Sequence, residues 1–285
     1  MTTSASSPPQ RTALITGSTD GLGRAVARAL ADAGFLVLIH GRDAQRGEDV
    51  VREIAARGGS ARFHRADFAS LTEVRALADS VRHRHDRLHL LINNAGIGPG
   101  GGRPAPRQTS VDGYELRFAV NYLAGYLLTR LLLPLLIRAA PARIVNVASV
   151  GQYPLDFDNL MLTRAYSGMR AYAQSKLAQV MLTVDLAAQL RERGVTVNCL
   201  HPATYMDTTM VRSAGVAPTS TVAQGAEAVM RLAVARELEG TTGGYFDGLR
   251  PAEANAQAYD AAARQRLAEV SARLSGSDQP SGPTS

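Results

Sequence analysis

Tryptophan is absent from this chain, cysteine occurs once and lysine occurs once. With Cys199 alone, no intramolecular disulfide can form, and a reducing, cytoplasmic setting is expected. Aromatic residues make up 5% of the chain, and the arginines behind its net charge of +6 are spread out rather than interleaved with them. A single-strand binder needs stacking platforms set in a basic groove, so no nucleic-acid partner is expected. Long apolar runs are missing too. The richest, LLTRLLLPLLIR (127–138), is cut by Arg130, Pro134 and Arg138, which predicts no membrane span. The opening MTTSASSPPQR lacks the apolar core of a signal peptide. His40, His64, His83, His85, His89 and His201 show no metal-ligand spacing with acidic partners, so structural roles and no metal are expected.

What is present is alternation. TALIT (12–16), FLVLIH (35–40), SARFHRA (60–66), LHLLINN (88–94), RIVNVAS (143–149) and VTVNCLH (195–201) are strand-like, and segments of helical composition separate them. Near-continuous apolar strands alternating with helices predict an α/β fold, a doubly wound parallel sheet of Rossmann type with helices on both faces. YFDGL (245–249) would be the last edge strand, for about seven in all, and 256–274 a closing helix. Residues 1–10 and 275–285 read as disordered tails around one domain over 11–274, with GIGPGGGRPAP (96–106) a flexible loop inside it.

TGSTDGLG (16–23) follows the first strand and opens the first helix. Gly17, Gly21 and Gly23 allow a sharp turn and a close approach, so that Ser18, Thr19, Asp20 and Leu22 wrap a pyrophosphate at a helix N-terminus. The second strand ends in His40-Gly41-Arg42-Asp43. An acidic residue at that point would hold an adenosine 2′-hydroxyl; Arg42 instead offers a doubly donating cation suited to a 2′-phosphate, which favours NADP(H) over NAD(H). The alternative for Arg42 is a solvated surface residue, and Asp43 reads as a helix cap.

The single lysine stands four residues after a tyrosine in YAQSK (172–176). On a helix Tyr172 and Lys176 share a face. A cation about 5 Å from a phenol at an effective dielectric of ~20 favours the phenolate by roughly 3 kcal/mol, about 2 pKa units. Tyr172 is thereby a plausible proton donor to a carbonyl, or acceptor from an alcohol. On its own, a tyrosine–lysine pair at this spacing reads first as a surface helix contact.

In one order the chain carries TGxxxGxG, NNAG (93–96), Asn121, Ser149 and YxxxK, and in this it resembles the short-chain dehydrogenase/reductase family over about Arg11 to Leu274. GLG, HGRD, QSKLA and the closing AYD…RL…S pattern are most similar to its retinol-dehydrogenase-like branch. The resemblance implies that Tyr172 is the proton donor, that Lys176 lowers its pKa and holds the nicotinamide ribose, that Ser149 bonds the substrate oxygen and that Asn121 interrupts a helix and holds a relay water. It places Asp67 and Phe68 beside the adenine, Asn94, Ala95 and Gly96 along the cofactor, and His201, Pro202, Ala203 and Thr204 at the carboxamide. It also implies pairing into a homodimer or homotetramer through helices at 113–138 and 168–193. The chain departs from the family in having Ala203 where glycine is common, and in a Ser149–Tyr172 separation longer than usual; the extra segment, 151–170, is expected in the substrate wall.

Other stretches read more plainly. RHRHDRLH (82–89) is expected to close a helix, where positive charge suits the dipole. Cys199 reads as inert core. Residues 204–222 suit a flap over a substrate, with Met206, Met210 and Val211 as apolar contacts. The function expected is NADP(H)-dependent hydride transfer to or from a small or medium apolar carbonyl or alcohol. The alternative is a non-catalytic dinucleotide-binding regulator or interaction subunit.

Overall fold

The computed structural model describes residues 10–100 and 106–277. Its strands are β1 (Thr12–Ile15), β2 (Leu36–Gly41), β3 (Ser60–Arg65), β4 (Leu90–Asn93), β5 (Ala142–Val147), β6 (Val195–His201), β7 (Tyr245–Asp247) and β8 (Arg250–Ala252). Its α-helices are α1 (Gly21–Asp32), α2 (Ala44–Ala56), α3 (Leu71–Arg84), α4 (Ala124–Arg138), α5 (Gly168–Leu190), α6 (Thr209–Ser213), α7 (Val222–Val234) and α8 (Ala261–Ser275). Side-chain oxygens start most of them: Asp20, Asp43, Ser70, Ser167, Thr208, Thr221 and Asp260 each accept an N–H of the first turn.

The strands form one sheet in the order β3-β2-β1-β4-β5-β6-β7-β8. The first seven run parallel, and β8 is antiparallel to β7. The expected edge at YFDGL is therefore corrected: Gly248, at φ 56°, reverses the chain, and an eighth strand closes the sheet. Pro251 in β8 makes that strand unpromising from sequence, yet an outer edge needs no donor there.

Alternate strand residues feed two cores. Leu14, Leu38, Leu91, Ile144 and Val197 pack with α3, α4, α5 and α8, whereas Ala13, Ile15, Val37, Ile39, Ile92 and Val145 pack with α1, α2 and α7. The order reverses between β1 and β4, which opens a crevice at the carboxyl ends of the strands, where ligands bind in sheets of this kind.

A π-helical turn, Phe118–Leu123, precedes α4 and contains Asn121. With it the helix is continuous over Phe118–Arg138, 21 residues with a mean hydropathy of 1.5, long and apolar enough by length and composition to cross a membrane. The sequence reading took Arg130, Pro134 and Arg138 as interruptions, yet the helix runs through Arg130 and Pro134 to Arg138. Much of this helix, Leu127, Leu128, Leu132 and Leu136 included, is core.

The closing helix begins later than expected, at Ala261 after a 3-10 turn, and runs through Ser275 to the left-handed Gly276. Its end thus lies inside the stretch assigned to the C-terminal tail; residues 1–9, 101–105 and 278–285 lie outside the described residues. α8 packs against α4 and α5 within the chain: Leu267 is 2% exposed, Tyr122 shares a 2.7 Å hydrogen bond with Ser271, and Arg264 pairs with Asp185 at 2.8 Å. Leu267→Ala should lower the unfolding free energy by about 2–4 kcal/mol, with the midpoint of urea unfolding moving down accordingly.

Candidate active site

The turn after β1 is held by long-range hydrogen bonds. Thr16 Oγ1 accepts the N–H groups of Asn94 (2.9 Å) and Ala95 (3.0 Å), and the Asn94 amide donates to the carbonyls of Thr16 (2.9 Å) and Gly17 (3.0 Å). A Cβ on Gly23 would stand 2.2 Å from Gly17 O, and one on Gly17 2.8 Å from Ala95 Cα. Asn94 thus acts here by fixing the turn. Ser18 is fully buried, and its hydroxyl donates to Ile15 O at 2.8 Å. Asp20 caps α1 through Gly21 N–H (2.8 Å), and Leu22 is core.

His40 is a brace that sequence reasoning left unspecified. Its Nδ1 accepts Gly17 N–H at 3.1 Å, so Nε2 carries the proton and donates to Ala66 O at 3.1 Å. The ring stacks on Phe68 with centroids 4.3 Å apart. Burial pushes His40 down to about 4, which keeps this neutral tautomer through the physiological range. Only the distance in space, across 23 residues of sequence, hid the pairing. Next to it Gly41 lies against Thr19, whose Cγ2 would be 2.6 Å from an added Cβ. Arg42 is exposed, with no hydrogen-bond or ion-pair partner among the described residues, and Asp43 caps α2, as expected. Asp67 Oδ1 accepts Ala69 N–H at 2.9 Å.

Tyr172, Lys176, Ser149 and Asn121 converge at the carboxyl ends of β4 and β5. Lys176 is 5% exposed; its Nζ donates to Val147 O (2.8 Å) and Gln179 Oε1 (2.9 Å) and lies 5.7 Å from the centre of the Tyr172 ring. Burial pushes this amine down to about 7. Tyr172 differs from expectation. Burial raises its phenol above the ordinary value and the neighbouring Ser149 hydroxyl opposes this, while the lysine is turned to Val147 and Gln179. Ser149 Oγ also accepts Gly151 N–H at 3.1 Å. Asn121 clasps Ile97 from both sides, Oδ1 accepting its N–H at 2.8 Å and Nδ2 donating to its carbonyl at 3.1 Å. The same Nδ2 donates to Ser175 Oγ at 2.9 Å, and Ser175 donates to Tyr172 O at 2.7 Å. Gly96 faces this group: a Cβ there would meet Asn121 Oδ1 at 3.3 Å and Lys176 Nζ at 3.7 Å.

After β6, Pro202 is buried and Thr204 exposed, with Thr204 Oγ1 3.0 Å from His201 Nε2. The flap crosses the crevice. Thr209 Oγ1 donates to Asp20 Oδ2 at 2.8 Å, and Met210 Cγ would stand 3.0 Å from a Cβ on Gly98. Met210 is 40% exposed beside Gly98, and Val211 is half-buried. Met206 points elsewhere: its sulfur packs beside Gly225, against the core of α1 and α7.

Within the segment 151–170, expected in the substrate wall, Leu155, Leu160 and Leu162 join the core. Tyr166 is engaged in a cluster that has no local signature. Arg117, 4% exposed, donates to Tyr166 Oη (2.7 Å) and to the carbonyls of Gly98 (2.9 Å) and Pro99 (3.1 Å). Tyr166 in turn donates to Glu115 Oε1 at 3.2 Å, and Glu115, 1% exposed, accepts Phe118 N–H at 2.8 Å. A buried ion pair therefore ties the loop after β4, the π turn and the approach to α5 into one unit.

The short chain dehydrogenase family model matches residues 11–218. The chain belongs to the short-chain dehydrogenase/reductase family. Within it the chain is retinol-dehydrogenase-like: it is 36% identical to retinol dehydrogenase 13 of Homo sapiens, over 96% of this chain and 87% of that one. It is 39% identical to polyprenol dehydrogenase of Mus musculus, over 94% and 85% of the two. Among solved structures, an uncharacterised protein of Mycobacterium paratuberculosis superposes with a TM-score of 0.75 at 28% identity, covering 94% of each chain. The RhlG/NADP active-site complex of Pseudomonas aeruginosa does so with a TM-score of 0.67 at 27% identity, covering 83% of this chain and 94% of that one. This protein is an oxidoreductase acting on CH–OH or C=O groups with a nicotinamide cofactor. The residues present fit that group: the glycines at 17 and 23 leave no room for side chains at the turn, and Gly96 keeps the space before Lys176 and Asn121 open.

Two outcomes check this geometry. Arg117→Met should leave the two loop carbonyls and a buried carboxylate without their partner and cost about 3–5 kcal/mol of stability, read by urea unfolding. Lysine titrates near 10.5 in an unfolded chain and near 7 at this position, so between those values the unfolded state binds more protons. The stability of the protein relative to Lys176→Met should therefore rise from pH 7 to pH 10, and both should be compared by unfolding at fixed pH.

Proposed function

We propose that the protein is an NADP(H)-dependent reductase or dehydrogenase of small or medium apolar carbonyls and alcohols, with Tyr172 as the group that handles the proton. The observation that carries this reading is the placement of Tyr172 beside Ser149, with the buried Lys176 behind it, at the end of a crevice that begins with the glycine turn. When bound, the nicotinamide supplies or accepts the hydride. A carbonyl oxygen directed at Tyr172 receives the phenolic proton while the Ser149 hydroxyl bonds the developing negative charge. Burial keeps the phenol protonated, the form that reduction uses. Lys176, held close to neutrality, can carry charge toward the phenol and bond a ribose.

Specificity for the phosphorylated cofactor rests on the exposed Arg42, unpaired among the described residues, beside the narrow Thr19–Gly41 contact. The apolar Met210 at the mouth of the crevice supports an apolar substrate. The names of the relatives, retinol and polyprenol dehydrogenases, make isoprenoid alcohols and aldehydes the first substrates to try.

The test is oxidation of NADPH and NADH with a panel of isoprenoid, aliphatic and aromatic aldehydes and ketones. Turnover should fall by at least about 100-fold in Tyr172→Phe, within the range for loss of a positioned acid. Arg42→Ala should raise the KM for NADPH about tenfold or more and leave that for NADH nearly unchanged. Full activity in Tyr172→Phe would remove the assignment of the acid; equal use of both cofactors by the unaltered protein would remove that of Arg42.

A further inference from the structure

The basic run 82–89 does close a helix, as the sequence suggests, but it also faces a strand. Arg84, at the end of α3, and His85, which caps it, lie against the outer strand β3 with Arg62 and His64. Between strand and helix is a cleft of about 230 Å³ lined by Arg62, His64, Arg65, Ser80 and Arg84 among others.

The charges in this cleft are poorly balanced. Neither Arg62 nor Arg84 forms an ion pair among the described residues, and Arg65 reaches Glu73 only at 3.8 Å. Asp79 is paired with Arg82 at 3.5 Å, on α3 itself. His64 is 7% exposed; its Nδ1 lies 3.2 Å from Ser80 Oγ, and its buried Nε2 has no partner. His85, next to this lining rather than part of it, has an Nε2 that is likewise buried and without a partner among the described residues. Two imidazole nitrogens without partners among the described residues, beside guanidinium groups that form no ion pair there, leave a cluster of basic groups with no anion to meet them. Burial lowers His64 to about 4, and the charges of His85, Arg84 and Arg62 push the same way; His40 lies on its other side, in β2. His85 is lowered too, by burial and then by Arg62 and Arg84, with Asp86 alone opposing.

We propose that this cleft binds a compact oxyanion carrying two negative charges, a phosphate group, held by Arg62 and Arg84 with His64 and His85 as donors. Such an anion matches the fork geometry of the guanidiniums and supplies the partners that the two ring nitrogens lack. The site lies on the outer edge of the sheet, and none of its residues belongs to the proposed catalytic group.

Binding is tested by titrating the whole protein with inorganic phosphate at pH 7.5, sodium chloride holding the ionic strength constant, while the ring signals of the six histidines are followed by NMR. The signals of His64 and His85 should move to saturation. Arg62→Gln/Arg84→Gln, two exposed positions whose change should leave the thermal midpoint without phosphate unaltered, should weaken the response at least tenfold. Glycerol 3-phosphate binding more tightly than phosphate assigns an esterified ligand; equal or weaker binding assigns the free ion. Sulfate, doubly charged throughout, serves for the pH dependence: an anion raises both imidazoles, so binding takes up protons, and affinity should increase as pH falls from 8 to 6. Signals that respond to chloride as they do to phosphate, or a double variant that titrates like the unaltered protein, would overturn the site. Sulfate affinity independent of pH would overturn the part given to the histidines.

Discussion

Parallel strands end together, and at their carboxyl ends each leaves backbone groups that the ladder no longer satisfies. The structure depends on how that edge is completed where the strand order reverses, between β1 and β4. Thr16 N–H reaches Ile92 O at 3.0 Å, its hydroxyl serves two amides of the following loop, and Asn94 returns two bonds to the turn. One strand further on, Asn93 donates to Asn146 Oδ1 (2.8 Å) and Thr129 (3.0 Å), and Asn146 to Thr183 (2.8 Å), so that β4, β5, α4 and α5 share one buried polar chain. The glycine turn and the tyrosine helix thus keep fixed positions because they are attached to the same row of strand ends. Only Asn93 Oδ1 in this polar chain is without a partner among the described residues; breaking any other link would leave a further buried group unpaired, which favours a single arrangement.

Upon this frame the protein buries charge next to the reacting position. The Lys176 ammonium is met by a carbonyl and an amide oxygen, two dipoles rather than a carboxylate. A carboxylate would hold the lysine charged and neutralise its field; with only dipoles to meet it, burial pushes the amine down to about 7. Glu115 and Arg117 illustrate the opposite solution a short distance away. They are fully paired, and Arg117 serves to fix two carbonyls of the loop beside the crevice.

What was legible in the sequence was what is local. The caps at Asp20 and Asp43, the strand alternation and the turn glycines act within a few residues, and each has a direct physical reason for its place. The tyrosine–lysine pair is local also, although its surroundings are not: the partners of Lys176 come from β5 and from its own next turn. Contacts closed by the fold left no periodic trace. His40 under the glycine turn, Tyr166 on Arg117 and the helix α8 on α4 and α5 span 23, 49 and, for Tyr122 with Ser271, 149 residues. Met206 and Met210 show the limit within one flap. Both are apolar, but one turns to the core and the other to the crevice, a choice that depends on Gly225 and Gly98 in other parts of the chain.

The single lysine has a consequence outside catalysis. Because thirty arginines carry the remaining basic charge, the exterior presents guanidinium groups and no ε-amine. Carbonyl compounds, aldehydes above all, condense with free amines, and a protein that acts on CH–OH or C=O groups handles carbonyl compounds. Here the only side chain able to form an imine with them stands 5% exposed behind Tyr172. Imine formation at an exposed lysine side chain is thereby ruled out, and lysine-directed attachment of any acyl group or protein tag has no exposed side chain on which to act.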